Sequence, residues 1–204
     1  MAVYAGVFDP PTMAHLEIVE SALRIFDELT VVIALNPNKS GALFSPDERG
    51  EMLRASLPDE IRPRVDVVSY AGLIAPYAES VGACALVRGM RPYADADAEI
   101  ALALMNQKLA PTLPTVLLVA SAKNVYLSSS FVRDTATLGG MIVPGSVTPA
   151  VGDALQRRFG SRLAAEDGNG SVRPAPAGEH AAGPQPAPID PPRATIEPRS
   201  ALDA

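Results

Sequence analysis

The residues best suited to chemistry lie near the start of the chain, where Y-A-G-V-F-D-P-P-T-M-A-H occupies residues 4–15. Gly6 and the Pro10-Pro11 pair force a turn after a short apolar stretch, and His15 falls in the first turn of an amphipathic run over 16–26. A strand, a turn and a helix start in that order make an anion site. Backbone N–H groups converge where the helix dipole favours negative charge, and an imidazole adds a charge-assisted hydrogen bond. Farther along come Lys39 in N-P-N-K, Arg88 and Arg91 in R-G-M-R, and Ser128, Ser129 and Ser130 ahead of another helical run. No pair of carboxylates and no Ser/His/Asp set competes with them. A pocket of donors without a nucleophile of its own suits phosphoryl or nucleotidyl transfer, in which a bound phosphate attacks and the protein supplies alignment and charge. Each residue also has a plainer use. His15 could be a half-buried helix residue and Lys39 a solvated one, Arg88 and Arg91 could pair with Asp95 and Glu99, and the serines could cap a helix. Asp9, next to a proline, suits bracing the turn better than acting as a base.

The elements that must hold these residues alternate. Apolar, β-branched runs predict strands over 2–6, 29–35, 64–70, 83–87 and 115–119. Helical patterns fill 16–26, 73–81, 94–109 and 131–138, a further helix starts at Thr148-Pro149, and Ser45-Pro46-Asp47-Glu48 joins a capping box to a first-turn proline. This order predicts an α/β fold: a five-stranded, mainly parallel, doubly wound Rossmann-like sheet with helices on both faces. In such sheets ligands bind at the carboxyl ends of the strands, where the candidate residues fall.

Composition narrows the reading. With 204 residues, 48% hydrophobic and 20% charged, the chain can bury one ordinary core. A net charge of −6 excludes general affinity for nucleic acid, and no apolar stretch approaches the roughly 20 residues that span a bilayer. Without a signal-type segment, a cytoplasmic protein is expected. The single Cys84, in G-A-C-A-L-V, is expected as a buried core thiol, and the only two histidines are too few for a His/Cys metal site. Pro, Ala and Gly dominate from about Ala164, and no aromatic residue follows Phe159. The expected organisation is a domain over 1–160 and a disordered tail over 161–204.

Five motifs carry a family resemblance. G-V-F-D-P-P-T-M-A-H, N-P-N-K, L-V-R-G-M-R, D-A-D-A-E with M-N following, and S-S-S-F-V-R stand in the order and spacing of phosphopantetheine adenylyltransferases, of the nucleotidyltransferase superfamily. The resemblance covers residues 2–159. Its T-x-x-H form and N-P-x-K loop set it apart from nicotinate and nicotinamide mononucleotide enzymes, which typically carry a second His where Thr12 stands. It implies that Mg-ATP and 4'-phosphopantetheine give dephospho-coenzyme A and pyrophosphate, with magnesium carried by ATP rather than by protein ligands. It also implies a homo-oligomer, usually a hexamer.

By the same resemblance the catalytic residues are His15, which contacts the transferring phosphate, Lys39, beside the attacking phosphate, and Arg91, on the β- and γ-phosphates. ATP would further meet Gly6, Phe8, Gly89, Glu99 near the ribose, and Ser128, Ser129 and Ser130. The acceptor would meet Val7, Lys39, Arg88 and Asn106, with Leu73 and Ile74 as the apolar wall for its arm. The chain departs from the family at Val7, in place of a Ser or Thr, at Ala14 in place of Gly, at Ala96 and Ala98 in place of aromatics, and at Gly72 in place of an acid. Two alternatives therefore stand beside the main reading. One is a diverged paralogue with another phosphorylated acceptor; the other is a nucleotide- or coenzyme A-binding protein without turnover.

Overall fold

The computed structural model describes residues 1–35, 41–91, 95–138 and 141–163. Lys39 and the tail from 164 onward lie outside the described residues. Five strands, β1 (Ala2–Gly6), β2 (Leu29–Leu35), β3 (Val65–Ala71), β4 (Leu86–Met90) and β5 (Thr115–Val119), form one sheet in the order β3-β2-β1-β4-β5 with every pairing parallel. The helices are α1 (Met13–Ala22), α2 (Pro46–Ser56), α3 (Ile74–Ser80), α4 (Ala96–Leu109), α5 (Ser129–Leu138) and α6 (Pro149–Leu163). Strand order reverses between β1 and β4, and the crevice beyond their carboxyl ends is where an open parallel sheet takes ligands.

Local chemistry explains most boundaries. Ser45 and Glu48 close the capping box that starts α2, with Glu48 N–H donating to Ser45 Oγ at 3.2 Å and Ser45 N–H to Glu48 Oε2 at 2.6 Å. β2 and β5 match the predicted strands, and β1 is buried along nearly its whole length. α1 starts at Met13, with Thr12 as its N-cap and His15 its third residue, in the first helical turn as expected. The short 3-10 helix Arg62–Arg64 was not expected; its proline stands in the first turn.

Two expectations are corrected. β4 lies at Leu86–Met90 rather than 83–87, since Arg88 and Gly89 pair with Leu117 and Leu118 of β5 inside the sheet. A charged residue read as a strand end continues the strand because its guanidinium finds partners above it. Cys84 consequently falls in the turn before β4, and it is exposed instead of buried, its thiol donating to the Met1 carbonyl at 3.2 Å. Apolar clusters cover both faces of the sheet: Leu16, Ile18 and Val19 of α1 pack on one, Ala75 and Ala78 of α3 on the other. A third cluster, including Met52, Val132 and Leu155, ties together α2, α5 and α6.

Candidate active site

The turn between β1 and α1 is held in shape from several sides. Phe8 has φ of 51°, and the Asp9-Pro10 peptide is cis. The Phe8 side chain is 1% exposed and stands edge-on to Tyr4 and His15, with ring centroids 5.3 and 5.0 Å away. A Cβ on Gly6 would come within 2.9 Å of that ring, so only glycine lets Phe8 fold back here. The Phe8 ring is thus part of the core beneath His15. Asp9, 3% exposed, accepts from Leu43 N–H at 2.8 Å and Phe44 N–H at 2.9 Å, and Arg133 donates to its carbonyl. Arg49, 5% exposed, donates to Val7 O at 2.9 Å, and Ser129 Oγ donates to Pro10 O at 2.8 Å. Asp9 braces the turn, as its neighbouring proline suggested.

His15 is partly buried, and its Nδ1 accepts the Thr12 backbone N–H at 3.0 Å. The ring does for Thr12 what a glutamate does in an ordinary capping box. Because Nδ1 is an acceptor, the neutral ring carries its proton on Nε2, which leaves an N–H donor for the crevice. Burial, and then the charges of Arg91 and Arg88, lower its pKa from 6.5 to about 4. The unfolded chain therefore takes up a proton on this ring before the folded protein does. The stability tied to neutral His15 is complete above about pH 6.5 and is lost as pH falls toward about 4. Imidazole NMR signals assigned to His15 by substitution should stay constant from pH 8 to about 5.5 in the ligand-free protein. A midpoint near 6.5 would contradict this environment.

Two cavities open on the crevice. The first, about 230 Å³, is lined by Gly6, Val7, Ala14, His15, Arg88, Gly89, Arg91, Asp95, Glu99, Ser128 and Ser129, among others. The second, about 220 Å³, is lined by Leu73, Ile74, Met105, Asn106, Leu109 and again Arg88. Both sets expected from sequence are largely brought together, and Arg88 joins them. Val7 lies in the first cavity rather than beside Leu73. Ser130 lies in neither; it is exposed and its Oγ accepts from Arg133 at 3.1 Å. A larger groove of about 500 Å³ between α2 and α6 contains none of the expected site residues.

The cleft arginines are engaged. Arg88 Nε and Nη2 each donate to Glu99 at 2.7 Å, and Nη1 donates to Ala5 O at 2.6 Å. Arg91 holds Asp95 through Nε at 2.6 Å and Nη2 at 2.7 Å. The hydrogen bonds that Arg91 donates to Asp95 raise the Arg91 pKa and lower that of Asp95. Both pairings foreseen as the plainer use are present, inside the cleft rather than on an open surface. Two arginines paired with two carboxylates form a clamp that an incoming phosphate can enter by competing with those carboxylates. Ser128 serves both readings, capping α5 by accepting Phe131 N–H at 3.0 Å while lining the first cavity. A Cβ on Gly89 would meet Ile18 at 2.9 Å, which keeps this strand position bare.

Three positioning residues were given no role in the sequence reading, although Arg133 closes the S-S-S-F-V-R motif: Arg49, Arg133 and Glu17. Glu17 accepts from Ser121 N–H, Ser121 Oγ and Asn124 Nδ2 at 2.9, 3.0 and 2.7 Å, tying α1 to the loop that leads into Ser128. Arg49 and Glu17 look in sequence like ordinary solvated helix charges, and only Arg133, through its motif, carried a local signal.

The sequence matches the cytidylyltransferase-like family over residues 3–135. It is 47% identical over 165 residues to a phosphopantetheine adenylyltransferase of Roseiflexus castenholzii, covering 79% of this chain and 99% of that protein. It is 42% identical over 159 residues to one of Geobacter sulfurreducens, covering 78% and 94%. Similar solved structures include a bifunctional NMN adenylyltransferase/ADP ribose pyrophosphatase of Francisella tularensis, complexed with AMP and a manganese ion. It superposes with a TM-score of 0.58 at 14% identity over 80% of this chain and 51% of that one. The nicotinic acid mononucleotide adenylyltransferase of Plasmodium falciparum, complexed with NaAD, gives 0.53 at 16% identity over 79% and 96%. At these identities the two structures bear on the fold alone.

Proposed function

The chain belongs to the phosphopantetheine adenylyltransferases, within the cytidylyltransferase-like family, and from that we propose that it transfers the adenylyl group of ATP to 4'-phosphopantetheine, giving dephospho-coenzyme A and pyrophosphate. The observation that carries the reading is the meeting of two cavities at Arg88, one rich in donors and the other apolar. ATP occupies the first, and the acceptor's arm lies along Leu73 and Ile74 in the second with its phosphate toward Arg88. An oxygen of that phosphate attacks the α-phosphorus of ATP as the bond to pyrophosphate breaks. The attacking oxygen is already anionic, so no general base is required, and the neutral His15 ring contributes an Nε2–H hydrogen bond to the charge that develops. Arg91 takes the β- and γ-phosphates. Lys39, which lies outside the described residues, takes its place beside the attacking phosphate on the strength of the resemblance.

Magnesium enters on the triphosphate. Asp95 and Glu99 are held by arginines, and no group of three or more His, Cys, Asp or Glu able to hold a metal occurs among the described residues. A homo-oligomer is supported by α4, whose Ile100, Leu104, Met105 and Leu109 are each 41% to 60% exposed next to the edge strand β5. No helix among the described residues is long and apolar enough to cross a membrane, and a cytoplasmic location suits an ATP-consuming reaction.

A second reading keeps the transfer and changes the acceptor. Val7 favours it, because the cavity wall has no hydroxyl where the family offers Ser or Thr. Gly72 speaks less strongly for it: φ there is 151°, and a Cβ would come within 2.9 Å of Tyr70, so glycine has a backbone reason of its own. Pyrophosphate release from Mg-ATP, measured with 4'-phosphopantetheine, unphosphorylated pantetheine and nicotinate mononucleotide, separates the readings. Release with 4'-phosphopantetheine alone is expected, and release with only another acceptor would overturn the assignment. Val7→Thr should raise kcat about tenfold or more by restoring a hydrogen bond to the charged acceptor. The position is 55% exposed, so the fold should tolerate the change. Unchanged kcat would show that this hydroxyl is not needed here.

A further inference from the structure

Tyr4 has no part in the roles above, yet it lines the first cavity. The residue is 4% exposed on β1, its ring set against Phe8. Its Oη stands 3.5 Å from the point that a Cβ on Gly89 would occupy, and since Gly89 has no side chain, the hydroxyl opens on the cavity that both residues line. Among the described residues no hydrogen bond reaches that oxygen. A phenylalanine would fill the same space and pack against Phe8 equally well, so packing gives no reason for the hydroxyl. Burial raises the phenol's pKa, a shift that Arg88 opposes and Glu99 reinforces, so at neutral pH the group is an O–H donor.

We infer that Tyr4 is a nucleotide-binding residue, its Oη donating a hydrogen bond to an acceptor oxygen of the nucleoside triphosphate in this cavity. The inference rests on the adenylyltransferase reading in placing ATP there, and it adds a contact to that reading. The acceptor is either a ribose hydroxyl or a phosphate oxygen, and both present the same chemistry to a phenol.

The test is Tyr4→Phe, with Mg-ATP affinity measured by calorimetry beside the wild type. The dissociation constant should rise about three- to tenfold, and further if the acceptor is a phosphate. Tm should stay within about 2 °C, because the oxygen bonds nothing in the protein. Parallel titrations with 2'-deoxy- and 3'-deoxy-ATP place the contact. If the acceptor is a ribose hydroxyl, one analogue costs the wild type the same factor and costs the variant nothing further. If it is a phosphate, the variant's deficit persists with both analogues. Equal affinities of the two proteins for all three nucleotides would overturn the inference, as would a large fall in Tm, which would mean that the oxygen is held by the protein. A wild type that binds no ATP would overturn the adenylyltransferase reading as well, whereas one that turns ATP over beside an indifferent variant overturns this inference alone.

Discussion

Replacing His15 with alanine should lower kcat by about 10²- to 10³-fold, the range seen when a donor aimed at developing charge is removed. The Nε2–H is free to act because Nδ1 is occupied by Thr12, and the ring is neutral because burial and two arginines keep it so. A neutral donor gains most where charge grows, so the loss should fall on kcat, while affinity for Mg-ATP changes by less than about threefold. Alanine also removes the ring's cap on Thr12, at a cost of about 1 kcal/mol of stability. His15→Gln separates the two effects, since its carbonyl can still accept the Thr12 N–H as in a capping box. Glutamine should restore Tm without restoring the rate. Steady-state kinetics with independent ATP binding decides the point: equal losses in kcat and affinity would refute a role confined to the transition state.

Asp9→Ala should be the most damaging single change to the fold around the site. The carboxylate is buried, and its loss leaves the amides of Leu43 and Phe44 without an acceptor and Arg133 without a counter-charge 3.7 Å away. Hydrogen bonds to a charged group are worth about 1.5 to 3 kcal/mol each, and because the two share one carboxylate the total should be about 3 to 4 kcal/mol. For a protein of this size that corresponds to a fall in Tm of about 10 °C. The amides lie just after residues 36–40, which carry Lys39, so kcat/KM should fall too. Denaturant titration and calorimetry provide the check. A loss below about 1 kcal/mol would mean that the β1–α1 turn does not depend on this brace.

Legibility in the sequence followed the range of the interactions. The cap at Ser45, the apolar runs of β2 and β5 and the glycines and prolines of the first turn act through neighbours a few residues away, and these could be read directly. Of the cleft set, His15, Arg88, Arg91, Ser128 and Ser129 were legible because they stand at predicted strand ends and helix starts, where parallel sheets collect ligands, whereas Gly89 and Glu99 were implied by the family resemblance alone. What could not be read depends on distant partners. Arg49 and Arg133 look like solvated charges until the chain brings them onto the carbonyls of Val7 and Asp9, 42 and 124 positions away. Arg88 hid the true span of β4 because Glu99 and the Ala5 carbonyl, which let a charge sit within the sheet, are invisible to a local window. The place of the Phe8 ring under His15 is likewise invisible locally, because it depends on the chain folding back over Gly6.

The most direct measurement of the central claim is mass-spectrometric detection of product from purified protein, Mg-ATP and 4'-phosphopantetheine, beside His15→Ala. Dephospho-coenzyme A should accumulate with stoichiometric pyrophosphate in the wild type and nearly vanish in the variant. Folded wild type that binds ATP and yields no dephospho-coenzyme A would contradict the account.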